Sequence, residues 1–300
     1  MSSFRGIWVA LATPFRGGAV DFPALQRLVA KLLEEGVSGF VVCGTTGEAA
    51  ALSHSEQLEI LDAVLQWVPS RQVIMGLAGN NQPELLACLE DIQRRPVAAV
   101  LVPAPYYIRP SQAGLESFFH TIADAASVPV VLYDIPYRTG VRIERETLRR
   151  IVRHPNIAAI KDCGGDPETT MALIADGHVD VLTGEDLQIF SNLCLGGAGA
   201  ISASAHVGAE LYMQMFRQME EGNVIAARAI FYRLLPWMQA AFAEPNPSAV
   251  KGALALQGLI ANEVREPMQA CTPATLERLR GFWRRWLDSS AKRTSNALPE

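Results

Sequence analysis

The sequence lacks the features that mark several classes of protein. Its five cysteines are scattered, and no CxxC pair or Cys/His ligand spacing occurs, which argues against a disulfide framework and a zinc site. The first residues contain no apolar segment of signal-peptide length, and no uninterrupted apolar run could span a bilayer. A formal net charge of −5 provides no basic surface for nucleic acid or an anionic membrane. These absences predict a cytoplasmic protein that binds neither.

Short apolar runs alternate with longer segments of helical periodicity, which is typical of βαβ units and a parallel sheet. The runs are nearly continuous in hydrophobicity, as expected for strands covered on both faces. Eight of them are predicted as strands, over residues 7–13, 39–43, 72–77, 98–102, 130–133, 157–161, 180–183 and 199–202. Helical patterns follow most of these runs.

Several predicted helices have clear start signals. Ser53, with Glu56 three positions later, fits a capping box. Asp166 stands before a proline at the first helical position. Ser111 and Thr272 are predicted as further N-caps.

Eight strand–helix units are the number that closes a (β/α)8 TIM barrel, so we predict an α/β protein of this architecture. The alternative is an open doubly wound sheet. The absence of a GxGxxG turn after the first strand disfavours that alternative.

Only helical patterns follow Gly208, over residues 223–243, 250–260 and 273–287, and they predict a C-terminal helical appendix. The expected organisation is a barrel core, a segment holding the last barrel helix and the C-terminal helices, and a disordered tail. These three parts are assigned to residues 1–207, 208–287 and 288–300.

Reactive residues of a TIM barrel lie at the C-terminal ends of its strands. Lys161 ends the sixth predicted strand. Such a lysine can extend into solvent or pair with Asp162, and both are ordinary structural roles. If it is buried instead, desolvation lowers its pKa from the usual ~10.4 and supplies a neutral amine that can form a Schiff base with a carbonyl.

Two residues near the end of the fifth strand are candidates for proton transfer and substrate binding. Tyr133 ends that strand, where its phenol could move protons, although a buried tyrosine with a satisfied hydroxyl is the alternative. Arg138 lies in the proline-constrained turn beyond it. Its guanidinium suits a substrate carboxylate, unless it is an ordinary surface arginine.

Two loops complete the set of candidates. Gly44-Thr45-Thr46-Gly47-Glu48 follows the second strand and offers hydroxyls and free amides to an anion, or is simply a turn. No Lys-Ser/Thr follows it, which excludes a phosphate loop. Tyr106-Tyr107 lies between prolines after the fourth strand and indicates a subunit contact or a catalytic element.

In their order along the chain, these motifs resemble the dihydrodipicolinate synthase/N-acetylneuraminate lyase family of class I, pyruvate-using lyases. The resemblance extends from residue 6 to about residue 287. Thr45-Thr46 and Arg138-Thr139-Gly140 favour the synthase branch over the sialic-acid lyases and the sugar-acid aldolases.

The resemblance implies that pyruvate condenses with aspartate semialdehyde to give 4-hydroxy-tetrahydrodipicolinate, a reaction of lysine and diaminopimelate biosynthesis. Lys161 would form the imine with pyruvate. Tyr133 would move protons through Thr45 to Tyr107 of a neighbouring subunit. No cofactor is implied, and the five histidines show no HxH or HExxH spacing for a metal.

The same resemblance implies the substrate contacts. Thr46, with main-chain groups near Gly184 and Ile201, would hold the pyruvate end. Arg138 would bind the carboxylate of aspartate semialdehyde.

Synthases of this kind are often homotetramers, built as a dimer of dimers, with a lysine feedback site at a subunit interface. The matching positions here are His54, Asn80, Glu84 and Tyr106. Ala49 and Gln57 stand where lysine-sensitive members carry Ser and His, so the response to lysine is left open.

Three positions depart from the family pattern. Asp134 replaces the usual Asn, Cys163-Gly164-Gly165 replaces an Ala-Thr-Gly-like stretch, and Tyr137 replaces a small residue. Two alternative functions are therefore kept. One is another pyruvate-dependent lyase or aldolase of the family, of the N-acetylneuraminate or 2-keto-3-deoxy sugar acid type, from which Arg138 separates the synthase. The other is a silent barrel that serves as a binding protein, which would have no chemical need for Lys161, Tyr133, Thr45 and Tyr107 together.

Overall fold

Eight parallel strands close into a barrel in the computed structural model, which describes residues 4–282. Each strand pairs with the next along the chain, and the last pairs with the first to close the ring. They are β1 (Gly6–Ala10), β2 (Gly39–Val42), β3 (Val73–Gly76), β4 (Ala99–Pro103), β5 (Val130–Asp134), β6 (Ile157–Asp162), β7 (Asp180–Thr183) and β8 (Gly199–Ser202). The predicted TIM barrel and its eight strands are confirmed.

Successive side chains of each strand point to opposite faces of the sheet, and this divides the core into two layers. One set of residues fills the barrel interior and includes Trp8, Ile74, Leu101, Val131 and Leu182. The other set faces outward and packs against the helices. Burial of both faces explains why the strands have no polar alternation in the sequence.

Helices connect the strands and surround the barrel. They are α1 (Phe22–Glu34), α2 (His54–Trp67), α3 (Gln82–Gln93), α4 (Gln112–Ala125), α5 (Arg145–Ile151), α6 (Pro167–Asp176), α7 (Ile189–Cys194) and α8 (Ala209–Glu220). The Ser53 capping box is confirmed, and the side chains of Ser111 and Asp166 accept backbone hydrogen bonds at their helix starts. Thr272 likewise accepts from the Thr275 amide.

The part of the chain described beyond Gly208 forms its regular structure from helices, which confirms the helical appendix. α9 (Val224–Ala241) and α10 (Ser248–Leu256) follow α8, and residues 273–282 are also helical. The predicted tail at 288–300 and the end of the predicted 273–287 helix lie outside the described residues. None of the helices described is long and apolar enough to cross a bilayer.

A buried ion pair joins the appendix to the barrel. The amine of Lys251 on α10, which is 0% exposed, lies 2.6 Å from Glu48 Oε1. The other oxygen of Glu48 accepts the backbone N–H of Arg265 at 2.9 Å. Removing one partner of such a pair costs about 3–5 kcal/mol because it leaves a buried charge uncompensated. The pair therefore fixes the loop after β2, which carries Thr45 and Thr46, against the C-terminal helices.

Candidate active site

Lys161 points into the barrel at the carboxyl end of β6. Ala159, two residues earlier, belongs to the interior layer, so alternation turns Lys161 inward as well. The side chain is buried, at 6% exposure, and burial lowers the pKa of its amine. Among residues 4–282, no carboxylate lies within ion-pair distance of this amine. The amine is therefore buried and its pKa is lowered, as the sequence predicted.

Gly184, just after β7, provides the space that the Lys161 side chain occupies. A Cβ at this position would lie 2.6 Å from Lys161 Cε and 2.4 Å from Cys163 Sγ. Both distances are shorter than real contacts, so a larger residue would displace the lysine. The small residue at 184 thus sets the position of the amine.

Tyr133 lies opposite Lys161 on the adjacent strand. The two residues are in register between β5 and β6, and the Lys161 amine lies 4.2 Å from the centroid of the Tyr133 ring. The phenol lies near the Thr45 side chain, and burial raises the pKa of the phenol well above its ordinary value. It is therefore a neutral hydroxyl that can accept one proton while donating another.

Thr46 is buried and oriented by the appendix. Its hydroxyl oxygen accepts a hydrogen bond from the Asn246 side-chain amide at 2.9 Å. Because a threonine hydroxyl both accepts and donates, its own hydrogen is left for a ligand. Sequence reasoning assigned no role to Asn246, since the two residues are 200 positions apart.

A cavity of about 360 Å³ opens above the lysine. Seven of the eight residues predicted for catalysis and substrate binding line it, namely Thr45, Thr46, Tyr133, Arg138, Lys161, Gly184 and Ile201. The eighth, Tyr107, does not: its side chain is 88% exposed on the loop after β4. Within one chain, Tyr107 is therefore separate from the other predicted site residues.

Arg138 lies on a short helical turn, Pro136–Thr139, at the rim of the cavity. In the described part of the chain, no carboxylate forms an ion pair with its guanidinium. The only ring contact recorded for it there is with Tyr137, whose ring centroid lies 5.9 Å from Cζ. The guanidinium is thus free to bind an anion that enters the cavity.

Two of the residues that depart from the family pattern meet at Glu185, directly after Gly184. The Tyr137 hydroxyl donates a hydrogen bond to Glu185 Oε1 at 3.1 Å. The Cys163 thiol lies close to Glu185, and burial raises the pKa of that thiol well above its ordinary value. Sequence reasoning did not single out Glu185, because nothing in a Gly-Glu-Asp turn reveals what its carboxylate meets.

Asp134, the third departure, faces Asp162 across the same two strands as Tyr133 and Lys161. The two are in register, each one position after Tyr133 or Lys161. Their nearest oxygens lie 2.6 and 3.1 Å from the point that a Cβ on Gly164 would occupy. Burial, reinforced by Asp162, raises the pKa of Asp134 to about 7.

The residues predicted for a lysine site are only partly brought together. Tyr106 lines a second cavity of about 420 Å³, along with Ala49 and Gln57, and its backbone N–H donates to Asn80 Oδ1 at 3.0 Å. His54 is instead bonded to Asp91, at 3.0 Å. Neither His54 nor Glu84, in the first turn of α3, lines that cavity. A lysine site at these positions stays a prediction.

Within residues 4–282, no group of three or more His, Cys, Asp or Glu side chains is placed to hold a metal ion. An amine, a phenol, hydroxyls and a guanidinium surround one cavity. A closed (β/α)8 barrel with these groups at the carboxyl ends of its strands defines a TIM-barrel enzyme.

Comparison with known proteins agrees with that class. Residues 3–281 match the dihydrodipicolinate synthetase family, and the chain belongs to this family of lyases. It is 38% identical over 280 residues to the 4-hydroxy-tetrahydrodipicolinate synthase of Syntrophus aciditrophicus, covering 92% of this chain and 96% of the relative.

Two solved structures show the same fold at related sequence. One is the 4-hydroxy-tetrahydrodipicolinate synthase of Methylacidiphilum fumariolicum SolV, with a TM-score of 0.92 and 33% identity over 97% of this chain and 98% of that one. The other is the chloride-inhibited dihydrodipicolinate synthase of Acinetobacter baumannii complexed with pyruvate. Its TM-score is 0.91, at 31% identity over 94% of this chain and 98% of that one.

Proposed function

We propose that this enzyme condenses pyruvate with L-aspartate 4-semialdehyde to give 4-hydroxy-tetrahydrodipicolinate, in lysine and diaminopimelate biosynthesis. The observation that carries the proposal is the buried Lys161 amine, which has no carboxylate partner in the described part of the chain and lies beside the Tyr133 phenol beneath a cavity. Relatives that are named for this synthase, and one that binds pyruvate, support it.

The first steps activate pyruvate. The neutral Lys161 amine attacks the keto carbon, water leaves, and an iminium forms. The iminium acidifies the pyruvate methyl group, and loss of one proton gives an enamine. Tyr133 and Thr45 line the cavity near each other and carry that proton away from the reacting carbon. Thr46, whose hydroxyl hydrogen is free, holds the pyruvate carboxylate.

The later steps use the second substrate. The enamine carbon attacks the aldehyde, and the aldehyde oxygen takes a proton from the tyrosine relay. Arg138 binds the carboxylate of aspartate semialdehyde at the rim. The amino group of the substrate then attacks the iminium carbon, the bond from that carbon to the Lys161 nitrogen breaks, and the free amine is regenerated.

Tyr107 completes the relay from a neighbouring subunit. Its side chain is exposed together with those of Tyr106 and Ile108, an apolar surface that is typical of a subunit contact. We propose a homotetramer, arranged as a dimer of dimers, in which each Tyr107 reaches the site of the adjacent chain.

The test is to incubate the enzyme with pyruvate and borohydride, digest it, and weigh the peptides. A reduced pyruvyl adduct on Lys161 is expected, and Lys251, which is buried in an ion pair, should remain unmodified. Protein without an adduct would contradict the proposal and support a silent barrel. Assays of condensation with aspartate semialdehyde, and of cleavage of N-acetylneuraminate and 2-keto-3-deoxygluconate, then distinguish the synthase from the other lyases.

A further inference from the structure

The geometry points to Glu185 as the residue that binds the ammonium group of the second substrate and so selects an amino-acid aldehyde. The inference rests on the proposed function, in which the aldehyde substrate carries both a carboxylate and an ammonium group. Arg138 accounts for the carboxylate. A complementary negative group at the same rim is needed to recognise the ammonium.

Glu185 is placed at the right level of the barrel. It directly follows Gly184, which lines the catalytic cavity, and it accepts a hydrogen bond from Tyr137, another lining residue. Its charge acts on both Cys163 and Lys161, the two side chains that share the space left by Gly184. The carboxylate therefore lies where β6 and β7 end, beside the amine that holds pyruvate.

Glu185 is also available for a cation. It is half-buried, and within residues 4–282 no arginine or lysine forms an ion pair with it. The hydrogen bond from the Tyr137 hydroxyl comes from a neutral group, so it positions the carboxylate without cancelling its charge. A half-buried carboxylate without a cation beside it is costly, and a substrate ammonium would offset that cost.

The neighbouring carboxylates are already committed to other partners. Glu244 lines the same cavity, but its Oε1 accepts the hydroxyl and the backbone N–H of Thr272. Asp186 is buried and accepts the hydroxyls of Ser202 and Ser204. By contrast, within residues 4–282 the only hydrogen bond to the Glu185 carboxylate is the one from the Tyr137 hydroxyl.

Tyr137 links the two halves of the recognition site. Its hydroxyl holds Glu185, and its ring lies next to the Arg138 guanidinium. Tyr137 therefore contributes to specificity for the second substrate, because it holds the Glu185 carboxylate and the Arg138 guanidinium on the same side of the rim.

The experiment compares Glu185→Gln with the wild type on two aldehydes, aspartate semialdehyde and succinate semialdehyde, which has the same carboxylate and no amino group. Pyruvate trapping on Lys161 should be unchanged. The kcat/KM for aspartate semialdehyde should fall roughly 10- to 100-fold, the range expected for a hydrogen bond to a charged group. Carbon–carbon bond formation with succinate semialdehyde, followed by mass spectrometry, should change little.

Two further variants make the result specific. Tyr137→Phe keeps the ring and removes the hydroxyl, so it should raise the KM for aspartate semialdehyde without affecting succinate semialdehyde. Glu168→Gln, at an exposed glutamate on α6 that pairs with Arg145, is the matched control and should leave both aldehydes unaffected.

Equal losses for the two aldehydes, or no loss for either, would overturn the role of Glu185 alone. Wild-type enzyme that traps pyruvate but does not consume aspartate semialdehyde would instead overturn the proposed function, and this inference with it.

Discussion

Lys161 and Tyr133 lie side by side on adjacent strands, with the lysine amine 4.2 Å from the centroid of the tyrosine ring. The neighbour of the amine is a neutral phenol rather than a carboxylate. Burial lowers the pKa of the amine, and Cys163, Asp186 and Glu185 oppose that shift only partly. Lys251, the other buried lysine, has the Glu48 carboxylate as an ion-pair partner.

Substituting methionine at the two buried lysines should give opposite results. Lys161→Met should abolish the pyruvate adduct and raise the free energy of unfolding by about 1–2 kcal/mol, because it removes an unpaired buried amine. Lys251→Met should lower the free energy of unfolding by about 3–5 kcal/mol, because Glu48 is left buried without its partner. Urea unfolding of both variants measures the difference. Destabilisation by both would mean that Lys161 also has a structural partner.

Gly184→Ala should reduce pyruvate trapping on Lys161 by roughly 100-fold, the effect of moving a reacting group by about 1 Å. The added methyl group would overlap Lys161 Cε and Cys163 Sγ. Gly114→Ala on α4 is the control, because its nearest neighbours to the new atom are 3.4 and 3.5 Å away. Trapping at the wild-type rate in Gly184→Ala would show that the amine does not depend on this space.

Arg138→Ala should lower kcat/KM for aspartate semialdehyde by roughly 100-fold, the value of a charge-assisted contact to a carboxylate. Adduct formation with pyruvate should remain close to the wild-type rate, since the proposed contact for that substrate is Thr46 and not Arg138. Steady-state kinetics and borohydride trapping give the two readouts. Equal losses for both substrates would remove the role assigned to Arg138.

Asp134→Asn should make stability less sensitive to pH. The pKa of Asp134 is raised to about 7 in the folded protein from an ordinary 3.8, because of burial and the nearby Asp162. Between these pH values the folded state holds a proton that the unfolded state does not, so stability falls as pH rises. Arg142 faces the same carboxyl and partly offsets the shift.

Urea unfolding at pH 5 and pH 8 checks this prediction. Between pH 5 and pH 8, the free energy of unfolding of the variant should rise by roughly 2–3 kcal/mol relative to that of the wild type. Asp62→Asn, at a half-exposed aspartate paired with Arg95, should show no comparable change. The same pH dependence in the wild type and in Asp134→Asn would contradict the assignment.

Mixing inactive subunits should restore activity if Tyr107 acts in the neighbouring chain. Mixed dimers of Lys161→Met and Tyr107→Phe contain one complete site, so random exchange should return roughly a quarter of wild-type activity across a two-fold contact. Lys161→Met mixed with Arg138→Ala should not recover, because both residues line the cavity of one chain. Absence of recovery in the first mixture would place Tyr107 outside the relay.

The barrel could be predicted because its signals are local. Each strand is a short apolar run, and caps such as Ser53 and Asp166 are read within three residues. Strand ends were less certain: the first strand was extended to residue 13 but ends at Ala10, and the short ribbon of Phe15–Arg16 with Ala19–Val20 was not predicted.

From the sequence, the site could be predicted only for residues that lie at or near the ends of strands. The positions of Lys161, Tyr133 and Gly184 follow from the rule that a barrel gathers the ends of its strands. The contacts of Asn246 with Thr46 and of Lys251 with Glu48 each join residues about 200 positions apart. Periodicity and spacing are local measures, so they carry no information about such pairs.

The bonds from Asn246 and Lys251 to the loop after β2 also limit how relatives of this chain can be recombined. Consider a hybrid that takes residues 44–48 from one parent and 244–251 from another. It would keep all eight strands, but the contacts of Asn246 and Lys251 that hold the Thr46 loop would no longer match. These two distant segments should therefore be exchanged as one block, and hybrids that separate them should fold but bind pyruvate poorly.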